Sequence, residues 1–318
     1  MPIFIQKTLY SLSLLLGVTF ISFMLMVYFG PDRSYAIAGK NPDAAQLEEI
    51  RQQLGYNQPL TSRYLGYIKD LASFNLGLSE SSGKPVARLL AETIPTSLLL
   101  LLPGFLIGNL LALMLAMIAA WYKHSWPDRL LTNLSLLGVS ISFLIIIIVL
   151  STWLCTPQGL NLFPSRGWRV DGLSSWLTYA TVPSLALIFV TVFFNLRFYR
   201  ALLLDEMEQD YIRTARAYGA GPFAIMFSEA LPNTLIPILT RLLFSLPAIL
   251  VSGSLVLESY FGIPGIGKVS FDAIFNADQP VLNAIVSLSA VMIVVVTWLA
   301  DFIYPRLDPR ISQHLVVR

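Results

Sequence analysis

Long apolar runs, separated by short polar connections, cover most of the 318-residue chain. Six runs are long enough to cross about 30 Å of hydrocarbon as helices, because each helical residue adds about 1.5 Å. They comprise residues 9–29, 95–121, 134–154, 176–196, 235–257 and 281–304. Helices satisfy their own backbone polar groups in lipid, so the runs predict an all-α polytopic membrane protein. The first run is uncharged from Thr8 to Gly30, which is too long for a signal-peptide core and predicts an uncleaved helix.

The composition supports membrane insertion and narrows the range of functions. Charged residues make up 13% of the chain, whereas soluble domains contain about a quarter. The net charge of +2 is too small to favour a nucleic-acid partner. One cysteine, Cys155, and two histidines predict neither a disulfide framework nor a zinc site. The chain lacks G-x-x-x-x-G-K-[ST] and H-E-x-x-H, so we predict no enzymatic activity, no catalytic residues, and no cofactor or metal of its own.

Lysine and arginine residues lie mainly on one side of the predicted membrane. An even number of spans puts both termini on the same side. That side holds ten basic residues, namely Lys7, Lys123, Arg129, Arg197, Arg200, Arg213, Arg216, Arg306, Arg310 and Arg318. The two short loops on the other side hold three, namely Arg166, Arg169 and Lys268. Because basic short loops stay in the cytoplasm, both termini are predicted to be cytoplasmic.

The spans divide the chain into four predicted parts. These are an N-terminal transmembrane helix (1–30), an extracytoplasmic loop subdomain (31–94), a permease core of five spans (95–304) and a cytoplasmic tail (305–318). Within the loop we predict one helix from Asn41-Pro42 to Leu54, stopped by Gly55, and others at 59–74 and 85–92. The loop is interpreted as a cap over the outer mouth, as a docking surface for an external partner, or as both.

The connection between the fourth and fifth spans, residues 200–234, is far longer than two adjacent helices need. Good helix formers predict a helix over 202–218, followed by a break at Gly219-Ala220-Gly221-Pro222. Pro222 suits the first turn of a second helix, which we expect to end at Leu231-Pro232-Asn233. The 200–234 segment is therefore predicted to form two short helices at the inner face of the membrane.

The 200–234 segment has the spacing of the EAA motif, E-A-A-x3-G-x9-I-x-L-P, found in binding-protein-dependent ABC permeases. Three residues separate Arg213-Thr214-Ala215 from Gly219, and nine more separate Gly219 from Glu229-Ala230-Leu231-Pro232. The spacing agrees, although Arg213, Thr214 and Glu229 replace the Glu, the first Ala and the Ile. Residues 210–219 resemble D-Y-[IV]-R-T-A-R-A-x-G, the version of the dipeptide, oligopeptide and nickel permeases, with Tyr218 in place of the usual Lys.

Shorter motifs of that family recur in order along the chain. In the long external loop, residues 54–59, 63–64 and 75–79 resemble L-G-L-x-x-P, Q-Y and G-D-L-G-x-S, with Asn75 in place of Asp. Residues 258–267 resemble E-x-x-F-x-x-P-G-[LI]-G, and Asp308-Pro309-Arg310-Ile311 resembles N-P-R-[IL]. Together these motifs resemble the first-permease type, which has a long external loop after its first span.

The resemblance implies the architecture of a type I ABC importer permease in the bacterial cytoplasmic (inner) membrane. It implies that the chain forms half of a translocation pore with a second homologous permease. It also implies two ATPase subunits, which bind the ATP, and an extracytoplasmic solute-binding protein. Peptides are the implied substrates, with nickel complexes, oligosaccharides or antimicrobial peptides as alternatives.

The matched motifs imply two sets of functional residues. The ATPase-coupling set is Asp210, Tyr211, Arg213, Thr214, Ala215, Arg216, Ala217, Gly219, Glu229, Leu231 and Pro232. The pore-mouth set is Glu258, Phe261, Pro264, Gly265 and Gly267. Tyr211, Ile212 and Phe223 are expected to anchor the first short helix in the ATPase. Arg213 and Arg216 are expected to pair with acidic groups there.

Other interpretations of the same features remain open at this point. The 200–234 segment could be an amphipathic helix that rests on anionic lipid. The whole chain could be a secondary transporter or a non-transporting receptor, although a proton-coupled carrier needs intramembrane carboxylates, which are scarce here. Arg241 is interpreted as reaching the membrane surface from near the end of its span or as making a structural pair.

Overall fold

The computed structural model describes residues 2–30, 34, 43–53 and 55–307, and most of the described structure is helical. The helices are α1 (Pro2–Phe29), α2 (Ala44–Gln53), α3 (Leu60–Ala72), α4 (Val86–Trp121), α5 (Trp126–Ser140), α6 (Phe143–Cys155), α7 (Leu173–Met207), α8 (Asp210–Ala217), α9 (Pro222–Ala224), α10 (Leu231–Ala248), α11 (Ser254–Phe261), α12 (Ile266–Phe275) and α13 (Gln279–Leu307). Two π-helical turns, Ile225–Ala230 and Ile249–Gly253, join α9 to α10 and α10 to α11. The predicted helix start at Asn41-Pro42, Leu54 and the motif at 308–311 lie outside the described residues.

Five described helices are long and apolar enough to cross a membrane. They are Thr8–Tyr28, Val86–Trp121, Leu173–Met207, Pro222–Val251 and Gln279–Leu307. A sixth crossing results if α5 and α6 are counted together, although these two helices meet at 98°. The predicted all-α polytopic fold is confirmed.

The run 134–154, which was predicted as one spanning helix, is divided into two helices, because the chain bends between α5 and α6. Ile141 and Ser142 at the bend have extended backbone angles, with ψ of 128° and 137°. Just before the bend, Ser140 Oγ donates to the Leu136 carbonyl at 2.9 Å, a contact that competes with the helical hydrogen bond. Hydropathy reports that a run is apolar but not the direction of its backbone.

The chain divides into two compact units. Residues Met1–Glu92 and Val269–Val295 form the first, and Thr93–Lys268 and Val296–Arg318 form the second.

In the first unit, helix α3, which lies in the loop after the first predicted span, packs against α1 through aromatic side chains. Tyr64 Oη donates to the Leu16 carbonyl at 2.9 Å, and the Phe20 and Tyr64 rings meet edge to face at 5.2 Å. Tyr67 Oη lies 3.1 Å from Ser287 Oγ on α13. The predicted helices of this loop are present at α2 and α3, but the one predicted at 85–92 is the beginning of the long helix α4.

A buried carboxylate in the same unit explains part of the 75–79 motif. Asp278 Oδ2 accepts hydrogen bonds from Ser79 Oγ at 2.6 Å and from Ser81 Oγ at 2.7 Å. Burial raises the pKa of Asp278, but these hydrogen bonds outweigh it and hold the pKa below its usual value. Gly77, with φ of +76°, allows the turn that brings the serines to the carboxylate.

In the second unit, small residues bring the long helices close together. Ala112, Ala116 and Ala120 recur every four residues on α4 and are buried against Tyr199 and Leu203 of α7. A Cβ added to Gly138 on α5 would lie 2.4 Å from the Phe193 ring of α7. Close approach of α4 and α5 to α7 therefore depends on residues with little or no side chain.

A buried ion pair joins the beginning of α5 to α7. Arg200 Nε and Nη2 donate to the two carboxylate oxygens of Asp128 at 2.5 and 2.8 Å. The Asp128 carboxylate also accepts the His124 backbone N–H at 2.9 Å. Since Asp128 is only 3% exposed, this two-pronged contact compensates a charge that would otherwise be costly to bury.

Candidate functional site

The 200–234 segment differs from its prediction in where its helices begin and end. The helix predicted at 202–218 is divided, because α7 continues to Met207 and α8 begins at Asp210 after a break at Glu208 and Gln209. The helix that starts at Pro222 does not end at Leu231-Pro232-Asn233. It continues through the π-helical turn Ile225–Ala230 into α10.

The proline within this continuous helix is tolerated because the turn before it is wide. The Leu231 N–H bonds to the Met226 carbonyl, five residues back. A proline in a regular α-helix clashes with the carbonyl four residues earlier and lacks a donor. The widened turn relieves that clash, so Pro232 does not act as a stop.

Both ends of α8 are defined by local backbone chemistry. Asp210 lies in its first turn, where a negative side chain is favoured by the helix dipole. At the other end, Gly219 has φ of +83°, and the Ala220 N–H bonds to the Ala215 carbonyl at 3.0 Å. This left-handed cap requires glycine or asparagine for low strain, which gives the motif glycine a physical role.

A single fully buried side chain attaches α8 to the rest of the unit. Ile212 is 0% exposed and packs in the cluster that contains Ala112, Ala116 and Leu203. The expectation that Ile212 anchors the helix in the ATPase is therefore wrong, because its side chain points into this protein.

The predicted coupling residues occupy mainly the outer surface of the segment. Six of the eight residues of α8 are exposed, namely Asp210, Tyr211, Arg213, Thr214, Arg216 and Ala217, while Ala215 is half-buried. Arg213 Nη1 contacts Asp210 Oδ1 at 3.1 Å on this surface. Glu229 and Leu231 are half-buried and Pro232 is exposed.

Tyr211 braces α8 against its two neighbours. Its hydroxyl donates to the Glu206 carboxylate near the end of α7 and accepts from Asn233 Nδ2 at 3.0 Å. Burial and the adjacent Glu206 raise the pKa of Tyr211 to about 12, so the hydroxyl stays protonated and remains a donor. Nearby, the Lys123 ammonium contacts the Glu208 carboxylate and holds the pKa of Glu208 below its usual value.

Exposed aromatic rings lie beside this polar surface. Tyr218 is 88% exposed and Phe223 is 75% exposed, and the Phe223 ring stacks on that of Phe227 at 4.3 Å. Large exposed rings next to exposed arginines are typical of protein interfaces. Phe223 thus has the exposure that its predicted anchoring role requires.

The predicted pore-mouth residues form a compact turn at 258–267. The Glu258 carboxylate is 0% exposed and accepts hydrogen bonds from Ser97 Oγ at 2.6 Å and from the Gly267 and Lys268 N–H groups at 2.8 and 3.2 Å. Ser97 Oγ in turn accepts the Ile266 N–H at 2.8 Å. Burial raises the pKa of Glu258 to about 7, and these hydrogen bonds oppose that shift.

The two motif glycines leave room for this carboxylate. A Cβ on Gly265 would lie 2.3 Å from Glu258 Oε2 and 2.4 Å from Ser97 Oγ. A Cβ on Gly267 would lie 2.3 Å from the Ser254 backbone. Phe261 is also buried, whereas Pro264 is exposed.

A polar cluster that the sequence did not predict lies among the spanning helices. Arg241 Nε donates to Asn195 Oδ1 at 2.7 Å. Asn195 Nδ2 and the Tyr199 hydroxyl both donate to Asn109 Oδ1, at 2.9 and 2.6 Å. Asn109 Nδ2 donates to the Phe105 carbonyl at 2.8 Å. Of the two interpretations of Arg241, the structural pairing is present in this contact with Asn195.

We call Asn109, Asn195, Tyr199 and Arg241 the Arg241 cluster. An arginine at the centre of a membrane helix costs about 2.5–3.5 kcal/mol to insert, so favourable contacts are needed to offset this free energy. Two such contacts are with the rings of Phe194 and Phe198, whose centroids lie 4.8 and 4.3 Å from the guanidinium carbon of Arg241. The sequence did offer a weak signal, since Asn109 and Asn195 are amides inside predicted apolar spans.

The Arg241 cluster borders a cavity of about 930 Å³, which we call the Arg241 cavity. Its wall is mostly apolar, with Arg241 as its charged residue. Such volumes and linings are typical of sites for small molecules. Among the described residues, no group of side chains is arranged to hold a metal ion.

Comparison with known proteins places these features in a family. Residues 108–313 match the family described as binding-protein-dependent transport system inner membrane component, and residues 1–100 match its N-terminal counterpart. The chain is 31% identical to an oligopeptide transport system permease protein of Bacillus subtilis over 319 residues, covering 97% of this chain and 98% of that protein. It is 31% identical to a glutathione transport system permease protein of Escherichia coli over 310 residues, again covering 97% and 98%. It is 29% identical to a probable peptide ABC transporter permease protein of Sinorhizobium fredii, covering 98% and 99%.

Proposed function

The chain belongs to the family of binding-protein-dependent transport system inner membrane components, and we propose that it forms half of the pore of an ATP-driven peptide importer. It is a multi-pass membrane permease rather than an enzyme. Peptide is the proposed substrate because the relatives named above are peptide, oligopeptide and glutathione permeases. The proposed partners are a second homologous permease, two ATPase subunits and an extracytoplasmic solute-binding protein.

The observation that carries the coupling proposal is the construction of α8. It is a short helix between two breaks, attached inward by Ile212, with Arg213 and Arg216 exposed on the other side. A rigid element held in this way can transmit a displacement imposed on its outer surface to α4 and α7. The spacing of the EAA motif is what distinguishes this helix from one that merely rests on lipid. The exposed rings of Tyr218 and Phe223, rather than the buried Ile212, supply the apolar contact area of the proposed interface.

Charge reversal tests the proposed ATPase contact. Arg213→Glu combined with Arg216→Glu should abolish co-purification of the ATPase subunits in mild detergent while the chain still inserts into the membrane. Arg166→Glu with Arg169→Glu is the matched control, because these two arginines have the same spacing and are also exposed. Normal ATPase association of the Arg213/Arg216 variant would remove the basis for the coupling proposal.

We also propose that both termini and the 200–234 segment are cytoplasmic. Ser62, Ser174 and Ser228 are all exposed, so a cysteine at each is accessible to a label. After Cys155→Ala, an impermeant thiol reagent added outside should label cysteines at positions 62 and 174 but not at 228. Labelling at 228 from outside would invert the proposed orientation.

Reconstitution tests the subunit assignment as a whole. The purified chain alone should give no ATP-dependent peptide uptake, since it has no phosphate-binding loop of the Walker type. Together with its partner permease, ATPases and binding protein it should give uptake that stops when an ATPase catalytic residue is changed. Peptide uptake by the single chain, driven by a proton gradient, would instead identify a secondary transporter.

A further inference from the structure

We propose that Arg241 binds the C-terminal carboxylate of the peptide as it crosses the membrane. This inference rests on the proposed peptide-importer function and assigns one subsite of the pathway. The subsite lies where the Arg241 cluster meets the Arg241 cavity.

The charge of Arg241 is incompletely paired within the described part of the chain. Among the described residues, Arg241 forms no ion pair with a carboxylate. Its Nε is used by Asn195, and within that part of the chain the four N–H donors on its two terminal nitrogens have no hydrogen-bond partner. A guanidinium in a membrane span without a carboxylate of its own is a functional candidate, because such residues mark substrate pathways.

The guanidinium of Arg241 is also held in a fixed orientation. Asn109 accepts from both Asn195 and Tyr199, which turns the oxygen of Asn195 toward Arg241. Phe194 and Phe198 support the guanidinium through their rings. Binding sites are built in this way, with the contacting group positioned by a second set of hydrogen bonds, so that little entropy is lost when the ligand binds.

The chemistry of the Arg241 cavity also suits a peptide with a terminal carboxylate. Arg241 is the charged residue in a lining whose other members are apolar or uncharged, including Thr191, Thr240 and Ser245. The planar fork of a guanidinium matches a carboxylate with two parallel hydrogen bonds. The C-terminal carboxylate is the anionic group that every linear peptide carries whatever its sequence. A permease that accepts varied peptides can therefore use it without reading side chains, while the same arginine repels the N-terminal ammonium.

Paired substrates test the proposal in proteoliposomes that contain the complete importer. The uptake of trialanine is compared with that of trialanine amide for the wild type, Arg241→Gln and Arg241→Lys. The quantity compared between variants is the rate of trialanine uptake divided by the rate of trialanine amide uptake. Any preference of the binding protein for one peptide is common to all variants and cancels in this comparison. We expect the ratio to fall about tenfold in Arg241→Gln, as a charge-assisted hydrogen bond predicts, and by less than threefold in Arg241→Lys.

Arg306→Gln is the matched control. Arg306 also lies over a phenylalanine ring, that of Phe302 at 3.5 Å, but it does not line the Arg241 cavity. Its ratio should equal that of the wild type. An unchanged ratio in Arg241→Gln, or equal loss of both peptides, would overturn the proposal. Failure of the wild type to take up either peptide would count against the importer function and not against this subsite.

A second measurement uses the wild type and decides the matter if Arg241→Gln does not assemble. Trialanine analogues with a photo-reactive leucine at either end are cross-linked in the importer held by a catalytically inactive ATPase. Labelling around residues 240–245 by the C-terminal probe but not by the N-terminal probe supports the proposal. Equal labelling by the two probes, or labelling of that stretch by neither, contradicts it and favours pairing of Arg241 with an acidic residue of the second permease.

Discussion

Replacing Ile212 by alanine should detach α8 from the protein that it is proposed to move. An isolated helix of eight residues is not stable in water, so α8 depends on its packing. Ile212 is the one residue of α8 that is fully buried, and it lies in a cluster with side chains of α4 and α7. Isoleucine-to-alanine changes at such sites cost about 2–5 kcal/mol.

The size of this effect can be converted into an observable rate. A loss of about 3 kcal/mol raises the population of the detached state about a hundredfold, because each 1.4 kcal/mol is a factor of ten. Amide hydrogen exchange across residues 210–217 should accelerate by a similar factor, since exchange of a locally opened helix follows that population. In the reconstituted importer, peptide uptake per ATP hydrolysed should fall, because ATPase movement no longer reaches α4 and α7.

Ile212→Val is the matched control for this experiment. It removes a single methyl group and should cost about 0.5–1.5 kcal/mol, which corresponds to an increase in exchange of about tenfold or less. Exchange at 210–217 that is unchanged in Ile212→Ala would show that other contacts, such as the Tyr211 hydrogen bonds, hold the helix. Normal uptake per ATP despite faster exchange would show that α8 does not act as the lever.

Three further predictions concern the motif residues. Gly219→Pro should abolish ATPase co-purification without affecting membrane insertion, because proline fixes φ near −65° whereas this position requires +83°. Gly265→Ala should lower the melting temperature and the folded yield, since its Cβ would lie 2.3 Å from the Glu258 carboxylate, while Gly66→Ala, with nothing within 4 Å of its Cβ, should not. Burial raises the pKa of Glu258 to about 7, so the folded protein holds the proton of this carboxyl more tightly than the unfolded chain does. The contribution of Glu258 to stability should therefore be largest below pH 4.5 and be lost as the pH rises toward 7. Melting scans from pH 4.5 to 8 should show this pH-dependent contribution in the wild type but not in Glu258→Gln.

Some of these features could be predicted from the sequence because they depend on local composition. The spans follow from hydropathy, and the position of α8 follows from motif spacing, which places Gly219 at its end. The continuation of the helix past Pro232 could not be predicted, because it depends on a wide turn formed by tertiary packing rather than on the identity of the proline. The bend at Ile141 and Ser142 was missed because residues 134–154 form one uncharged run, and hydropathy does not report the direction of the backbone.

The Arg241 cluster shows a different limit of sequence reasoning. Asn109, Asn195 and Arg241 each look like an isolated polar residue in an apolar run. They form a cluster only because three different helices bring them together, and their spacing along the chain does not predict this contact. The inward direction of Ile212 was missed for a similar reason. An apolar residue in a surface helix can pack against its own protein or against a partner, and the sequence does not distinguish the two.

The two π-helical turns on either side of α10 have a consequence for the angular setting of Arg241. Each turn, Ile225–Ala230 and Ile249–Gly253, contains hydrogen bonds that reach five residues back rather than four. A wide turn accommodates one more residue than a regular α-helical turn does, and each residue of a regular α-helix rotates the chain by about 100°. If the turn at Ile225–Ala230 became regular α-helix with the same residues, Arg241 would therefore be rotated by about 100°, away from Asn195. The π-helical turn at the beginning of α10 therefore determines which way the Arg241 side chain faces.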